Sequence, residues 1–231
     1  SANLGNQSGL DGHLISGLST KGIPEWFKGK TIPFPYNDFD YLEHIARIKD
    51  LGVIIMEVSR NVPPKEGYLE RVRQISDQNN IILIFDECTS GFRETFGGLH
   101  KKYNVEPDMA MFGKALGNGF AINAVIGKKD YFSNAEETFI SSVFWTERIG
   151  SVAGLKTIEV MGKEKSWDYI TKMGLEVRSK WSSLASKYDL TLNVSGLPSL
   201  SSFSINSKNW IKYKTYITQE MLKNNFLASN T

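Results

Sequence analysis

Ile81-Ile82-Leu83-Ile84-Phe85-Asp86-Glu87 is the stretch on which the fold of this chain turns. Five apolar residues in a row, rich in β-branched and aromatic side chains, stop abruptly at two carboxylates. That is the pattern of a strand buried on both faces whose carboxyl end meets solvent. Moving outward, the same pattern recurs. Val53 to Met56 stops at Glu57, Met109-Ala110-Met111-Phe112 stops at Gly113-Lys114, and Asn123 to Ile126 forms a fourth run. Between the runs the spacing becomes helical, through Tyr41, Leu42, Ile45 and Ile48, then through Leu69, Val72 and Ile75 within 66–79. Buried strands alternating with amphipathic helices specify an α/β fold, with a mostly parallel sheet flanked and covered on both faces.

The flanks read differently. Residues 1–37 are rich in Gly, Ser, Asn and Pro and read as loop. After Thr146 the chain turns helical over 149–161 and 165–187. Leu197-Pro198-Ser199 then introduces a strand-like segment, Ser201 to Asn206, before a last helix from Trp210 to Asn224. We expect a large domain over 1–160. A connecting helix and the start of a small α+β C-terminal domain follow over 161–231.

Bulk chemistry narrows the function classes. Of 231 residues, 41% are hydrophobic and 23% charged, with a formal net charge of +2. Such a balance points neither to nucleic acid nor to a membrane surface. No run of about 18 apolar residues appears, so no bilayer-spanning segment is expected. Cys88 is the only cysteine, which excludes an intrachain disulfide and suits a reducing cytoplasm. His13, His44 and His100 are scattered without zinc-type spacing, so no metal is expected.

In an open α/β sheet, ligands bind beyond the carboxyl ends of the strands. The residues there are Glu57, Asp86, Glu87 and Lys114. A lysine and a carboxylate on separate strand ends are what pyridoxal 5'-phosphate (PLP) chemistry requires. The amine forms a Schiff base with the cofactor aldehyde, and the carboxylate keeps the pyridine nitrogen protonated. Cys88, two residues past Asp86, faces the same side if the strand continues. Each residue also has a plainer reading. Gly-Lys after a strand is commonly a solvated turn, Asp-Glu after a strand also suits a nucleotide hydrolase, and a lone cysteine is commonly a small core residue. The nucleotide reading fails on Gly29-Lys30-Thr31. A phosphate loop needs a glycine where this chain has Pro24, and no apolar strand precedes it. Composition and spacing alone define an α/β enzyme without a defined chemistry.

The motifs in order carry more. Phe85-Asp86-Glu87-Cys88-Thr89-Ser90-Gly91-Phe92-Arg93 resembles the D-E-V-x-x-G-F-R segment of the class III aminotransferases. Gly97-Gly98, then Pro107-Asp108-Met109-Ala110-Met111-Phe112-Gly113-Lys114-Ala115-Leu116-Gly117-Asn118-Gly119, is similar to that family's Schiff-base stretch. Phe144-Trp145-Thr146 falls where the family places a threonine against the cofactor phosphate, commonly across a dimer interface. The nearest likeness is to glutamate-1-semialdehyde 2,1-aminomutase-like members. The resemblance implies a fold-type I PLP enzyme that moves an amino group between small-molecule donor and acceptor, as an aminotransferase or an aminomutase (an isomerase), and as a homodimer. It implies that Lys114 is the Schiff-base lysine and general acid/base, and that Asp86 pairs with the pyridinium. Cys88 covers one ring face where valine is usual, Thr146 binds phosphate, and Glu57 lies near the substrate pocket. Gly91 and Arg93 are expected to hold the turn.

The chain departs from the family at Gly117-Asn118-Gly119-Phe120 and at Thr146-Glu147-Arg148-Ile149-Gly150. The family's phosphate-binding turn and ring-stacking aromatic are expected upstream of residue 1. The chain is therefore expected to be a fragment truncated at both ends, with a catalytically silent fold as the alternative to an active one.

Overall fold

A computed structural model describes residues 24, 26, 30–141, 143–144 and 146–230. Gly29 of the Gly29-Lys30-Thr31 turn and most of the amino-terminal loop therefore lie outside the described residues. Four strands form the main sheet in the order β1-β2-β3-β4: Val53–Glu57, Ile82–Asp86, Met109–Phe112 and Ala124–Gly127. The first three run parallel and β4 pairs antiparallel to β3. Helices α1 (Phe39–Ile48) and α2 (Tyr68–Gln78) connect and cover them. A single turn, α3 (Lys129–Phe132), follows β4.

Helix α1 starts where Asp38 accepts a hydrogen bond from the Tyr41 amide, and its apolar stripe Leu42, Ile45 and Ala46 is buried. That stripe meets Leu69, Val72 and Ile75 of α2 and Ile54, Met56, Leu83 and Phe85 of the sheet, forming the principal core. A second cluster joins Ala110, Phe112 and Leu116 to Phe92, Ile122 and Ile158. The two sheet faces are unequal. Even-numbered β1 positions and odd-numbered β2 positions are buried, whereas Ile55, Ile82 and Ile84 on the other face are only half-buried. Coverage of both faces, expected from the continuous apolar runs, is complete on one face of the described residues.

Helices α4 (Ile149–Glu164) and α5 (Ser166–Lys187) follow, separated by Lys165 in the left-handed region at φ 49°. The C-terminal part holds a two-stranded antiparallel sheet, β5 (Leu192–Ser195) with β6 (Ser202–Ile205), and helix α6 (Trp210–Lys223). Sequence patterning located β6 but not β5, because Leu192-Asn193-Val194-Ser195 is short and lacks an apolar run. Its ladder bonds to β6 decide it. Only a short 3-10 turn, Pro198–Leu200, separates the two, and Leu197 before it is buried in the principal core.

This connection is seated on α5. A Cβ added at Gly174 would lie 1.9 Å from the Pro198 carbonyl oxygen, and Arg178 donates to the Gly196 carbonyl at 2.6 Å. In an open helix Gly→Ala gains about 1 kcal/mol from propensity. Here backbone blocks the methyl, so Gly174→Ala is expected to destabilise by about 1–3 kcal/mol net. A thermal melt should show the midpoint falling by several degrees; an unchanged or raised midpoint would contradict this packing.

Candidate active site

Strand register builds the site. Glu57 at the end of β1 is the Cα partner of Asp86 at the end of β2, and Asp86 is the partner of Met111 in β3. The two carboxylates therefore stand side by side in one row, on the less covered face of the sheet. Three residues beyond Met111, the chain leaves β3 through Gly113 and enters a short turn at Lys114. Lys114 occupies the left-handed region at φ 44°, which is uncommon for a side-chain-bearing residue. A Cβ on Gly113 would come within 2.4 Å of the Asn123 side-chain oxygen. The Asn123 side chain fills that space, so a larger residue at position 113 would have to displace it.

Lys114 Nζ donates to Thr89 Oγ1 at 2.8 Å, so the amine is held over the turn that follows Asp86. Burial pushes the Glu57 carboxyl above its ordinary value; Arg60 opposes that shift, Asp86 adds to it, and Lys114 and Thr89 oppose it. Electrostatics thus place Glu57, Asp86, Thr89 and Lys114 within mutual range. A cavity of about 700 Å³ opens on one side of Lys114, lined also by Phe92, Arg93, Phe120, Lys156 and Met161 among others. A separate cavity of about 370 Å³ lies at the amino-terminal end of β1, away from these side chains.

Cys88 reaches the same neighbourhood by a different route from strand alternation. The strand ends at Asp86, and the Cys88 amide donates back to Asp86 Oδ1 at 3.0 Å. This turn, rather than pleating, puts Sγ 3.5 Å from where a Gly113 Cβ would lie. Burial, reinforced by Asp86, pushes the thiol up to about 11 from an ordinary 9.0. The thiolate is the nucleophile. Between pH 7 and 8, Cys88 is expected to react with iodoacetamide roughly 100-fold more slowly than an unperturbed thiol, accelerating as pH rises toward 11. Rapid alkylation at pH 7 would contradict this environment.

Glu87, the other carboxylate of the motif, belongs to the framework. It points to the opposite face, is fully buried, and accepts from the Ser90 hydroxyl and the His100 amide, the latter at 2.9 Å. Gly91 and Arg93 hold the same turn. A Cβ on Gly91 would sit 2.7 Å from the Phe112 ring, and Arg93 Nε donates to the Thr89 carbonyl at 2.6 Å. Thr146 stands exposed just ahead of α4. None of the hydrogen bonds or ion pairs among the described residues joins it to the Lys114 group. The structure thus brings together Lys114, Asp86, Glu57 and Cys88. Sequence reasoning missed Thr89 and Arg60. Thr89 lies three residues past Asp86 inside the quoted motif, so its position was a usable signal.

Comparison with known proteins decides the family. The class-III aminotransferase model matches residues 42–225. The chain belongs to that family. It is 35% identical over 208 residues to a 3-aminobutyryl-CoA aminotransferase of Cloacimonas acidaminovorans, covering 86% of this chain and 48% of that protein. It is 32% identical over 217 residues to a glutamate-1-semialdehyde 2,1-aminomutase of Methanococcus maripaludis, covering 89% and 51%. Among solved structures, the PLP internal aldimine form of the Sphingopyxis sp. MTA144 FumI protein superposes with a TM-score of 0.78 at 18% identity, over 84% of this chain and 49% of the other. This class-III chain thus has the α/β fold of solved transaminases and spans about half the length of the curated relatives it matches.

Proposed function

We propose that this class-III chain provides the lysine-and-aspartate half of a PLP site in an enzyme of the aminotransferase or aminomutase type, acting on small amino donors and acceptors. The observation that carries the reading is the register of Glu57 beside Asp86, with the Lys114 amine directed toward the turn just beyond them. The residues suit the cofactor. A primary amine stands near two strand-end carboxylates, with the Cys88 thiol beside Gly113.

When bound, PLP supplies an aldehyde and an electron-withdrawing ring for amino-group transfer. Lys114 provides the amine that attaches to that aldehyde and, when released, carries a proton to or from the substrate carbon. Asp86 holds a proton at the pyridine nitrogen. Cys88, neutral at working pH, offers an apolar surface to one ring face. Glu57, buried beside Asp86, borders the place for substrate. Thr146 is assigned to the phosphate of a partner's cofactor in a homodimer. The neighbouring exposed apolar residues, Val143 at 98% and Phe144 at 55%, support an interface there.

The boundary between a cofactor-binding domain over 1–160 and a smaller C-terminal part over 161–231 belongs to the same proposal. So does a cytoplasmic setting, which suits the single thiol. No helix among the described residues is long and apolar enough to cross a membrane.

The test is to add PLP to the 231-residue chain, record the absorbance spectrum, reduce with borohydride and map the modified peptide. We expect a covalent adduct on the peptide containing Lys114. A chain folded by circular dichroism with no such adduct would favour the alternative, a silent fold that does not close a cofactor site by itself.

A further inference from the structure

Among the described residues Thr89 is the one side chain hydrogen-bonded to the Lys114 amine, and nothing in the mechanism above uses it. Its hydroxyl accepts from Lys114 Nζ at 2.8 Å and is itself half-buried. The tie is anchored at both ends. On one side, the Thr89 carbonyl is gripped by Arg93 Nε at 2.6 Å, and Ser90 next to it is fixed by the buried Glu87 carboxylate. On the other, Lys114 leaves the sheet in a left-handed conformation beside Gly113, whose open side is filled by the Asn123 side chain. A long, flexible lysine stem is thus directed at its Cα by a left-handed turn and held at its Nζ by one hydroxyl. Such an amine loses the rotamer freedom that lysine otherwise keeps.

We propose that Thr89 is a positioning residue for Lys114, directing the amine toward a carbonyl bound beyond Asp86 while withholding it from electrophiles arriving from bulk solvent. The hydroxyl suits this role because it is neutral. It accepts from the ammonium without adding a third negative charge to Glu57 and Asp86, and it leaves its own proton available to the Glu57 side. Apolar or amide side chains of other shapes at this position would not present one oxygen at this height. The inference rests on the PLP reading only for the identity of the carbonyl; the tether itself is a property of the chain without ligand.

The experiment compares the unsubstituted chain with Thr89→Val, Thr89→Ala and Thr89→Ser, each checked for folding by circular dichroism. In ligand-free protein, trace acetylation by acetic anhydride at fixed pH is read by mass spectrometry, as Lys114 labelling relative to the remote Lys65. Releasing a charge-assisted hydrogen bond should raise Lys114 labelling about threefold in Thr89→Val and Thr89→Ala, with Thr89→Ser close to the unsubstituted chain. The rate of borohydride-trappable PLP attachment should move oppositely, falling about tenfold in the Val and Ala variants and recovering in Thr89→Ser. Relative labelling unchanged in both Val and Ala variants would overturn the proposal, as would a Ser variant that behaves like them. Failure of the unsubstituted chain to capture PLP would instead count against the cofactor reading, because the acetylation result decides Thr89 without it.

Discussion

Lys114→Ala is expected to eliminate covalent PLP capture at this site and to lower amino transfer by the complete enzyme by roughly three orders of magnitude or more. The size follows from the lysine's double role. It is the only amine in hydrogen-bond range of the turn after Asp86 among the described residues, and the same atom is the proton carrier. Removing it also takes away a cation that opposes the upward shift of Glu57, leaving two adjacent carboxyls facing each other. The measurement is the borohydride-reduced peptide map. Capture should vanish from the 114 peptide while circular dichroism is unchanged, since Lys114 is exposed and anchors no core contact. Undiminished capture, or its transfer in full to Lys156 in the same cavity, would remove Lys114 from the role proposed.

The largest expected loss of stability comes from the neighbouring carboxylate. Glu87→Ala should cost about 3–5 kcal/mol. Its carboxylate is completely buried and receives the Ser90 hydroxyl, the His100 amide and the facing His100 Nδ1, the last two at 2.9 Å. Truncation leaves these groups buried without an acceptor and opens a void beneath the turn that carries Thr89. Urea denaturation should report the loss as a lower midpoint with an unchanged slope. Glu87→Gln, which keeps the volume and one acceptor oxygen, should lose less. A Glu87→Ala midpoint equal to the unsubstituted chain's would show that the cluster carries little of the fold's stability. Adjacent acids of one motif thus separate by function: changing Asp86 should affect chemistry, and changing Glu87 should affect folding.

That separation marks the boundary between what was legible and what was not. The four strand runs, the helices between them and the residues at the strand ends follow from periodicity and abrupt stops, which are local properties of consecutive residues. The order of motifs around Asp86 and Lys114 was equally local, and it sufficed to point to the family. The antiparallel direction of β4 and the existence of β5 had no such signal, because strand direction is set by the neighbour that satisfies the amides and Leu192-Asn193-Val194-Ser195 carries no apolar run.

Cys88 shows the limit most clearly. Its place near the site was anticipated, but by pleating, whereas a turn closed on Asp86 Oδ1 puts it there. The pairing of Glu57 with Asp86, the hold of Thr89 on Lys114 and the seat of Pro198 on Gly174 join residues 24 to 29 positions apart. By itself the sequence determined the main-sheet strands and the helices between them, the strand-end residues and the amine-plus-carboxylate chemistry they imply. Tertiary structure alone decided that Glu87 is locked into the framework, which hydroxyl holds the lysine and which glycines carry close packing. Those choices are set by register and by the distance between backbones, and no local pattern in a chain records either.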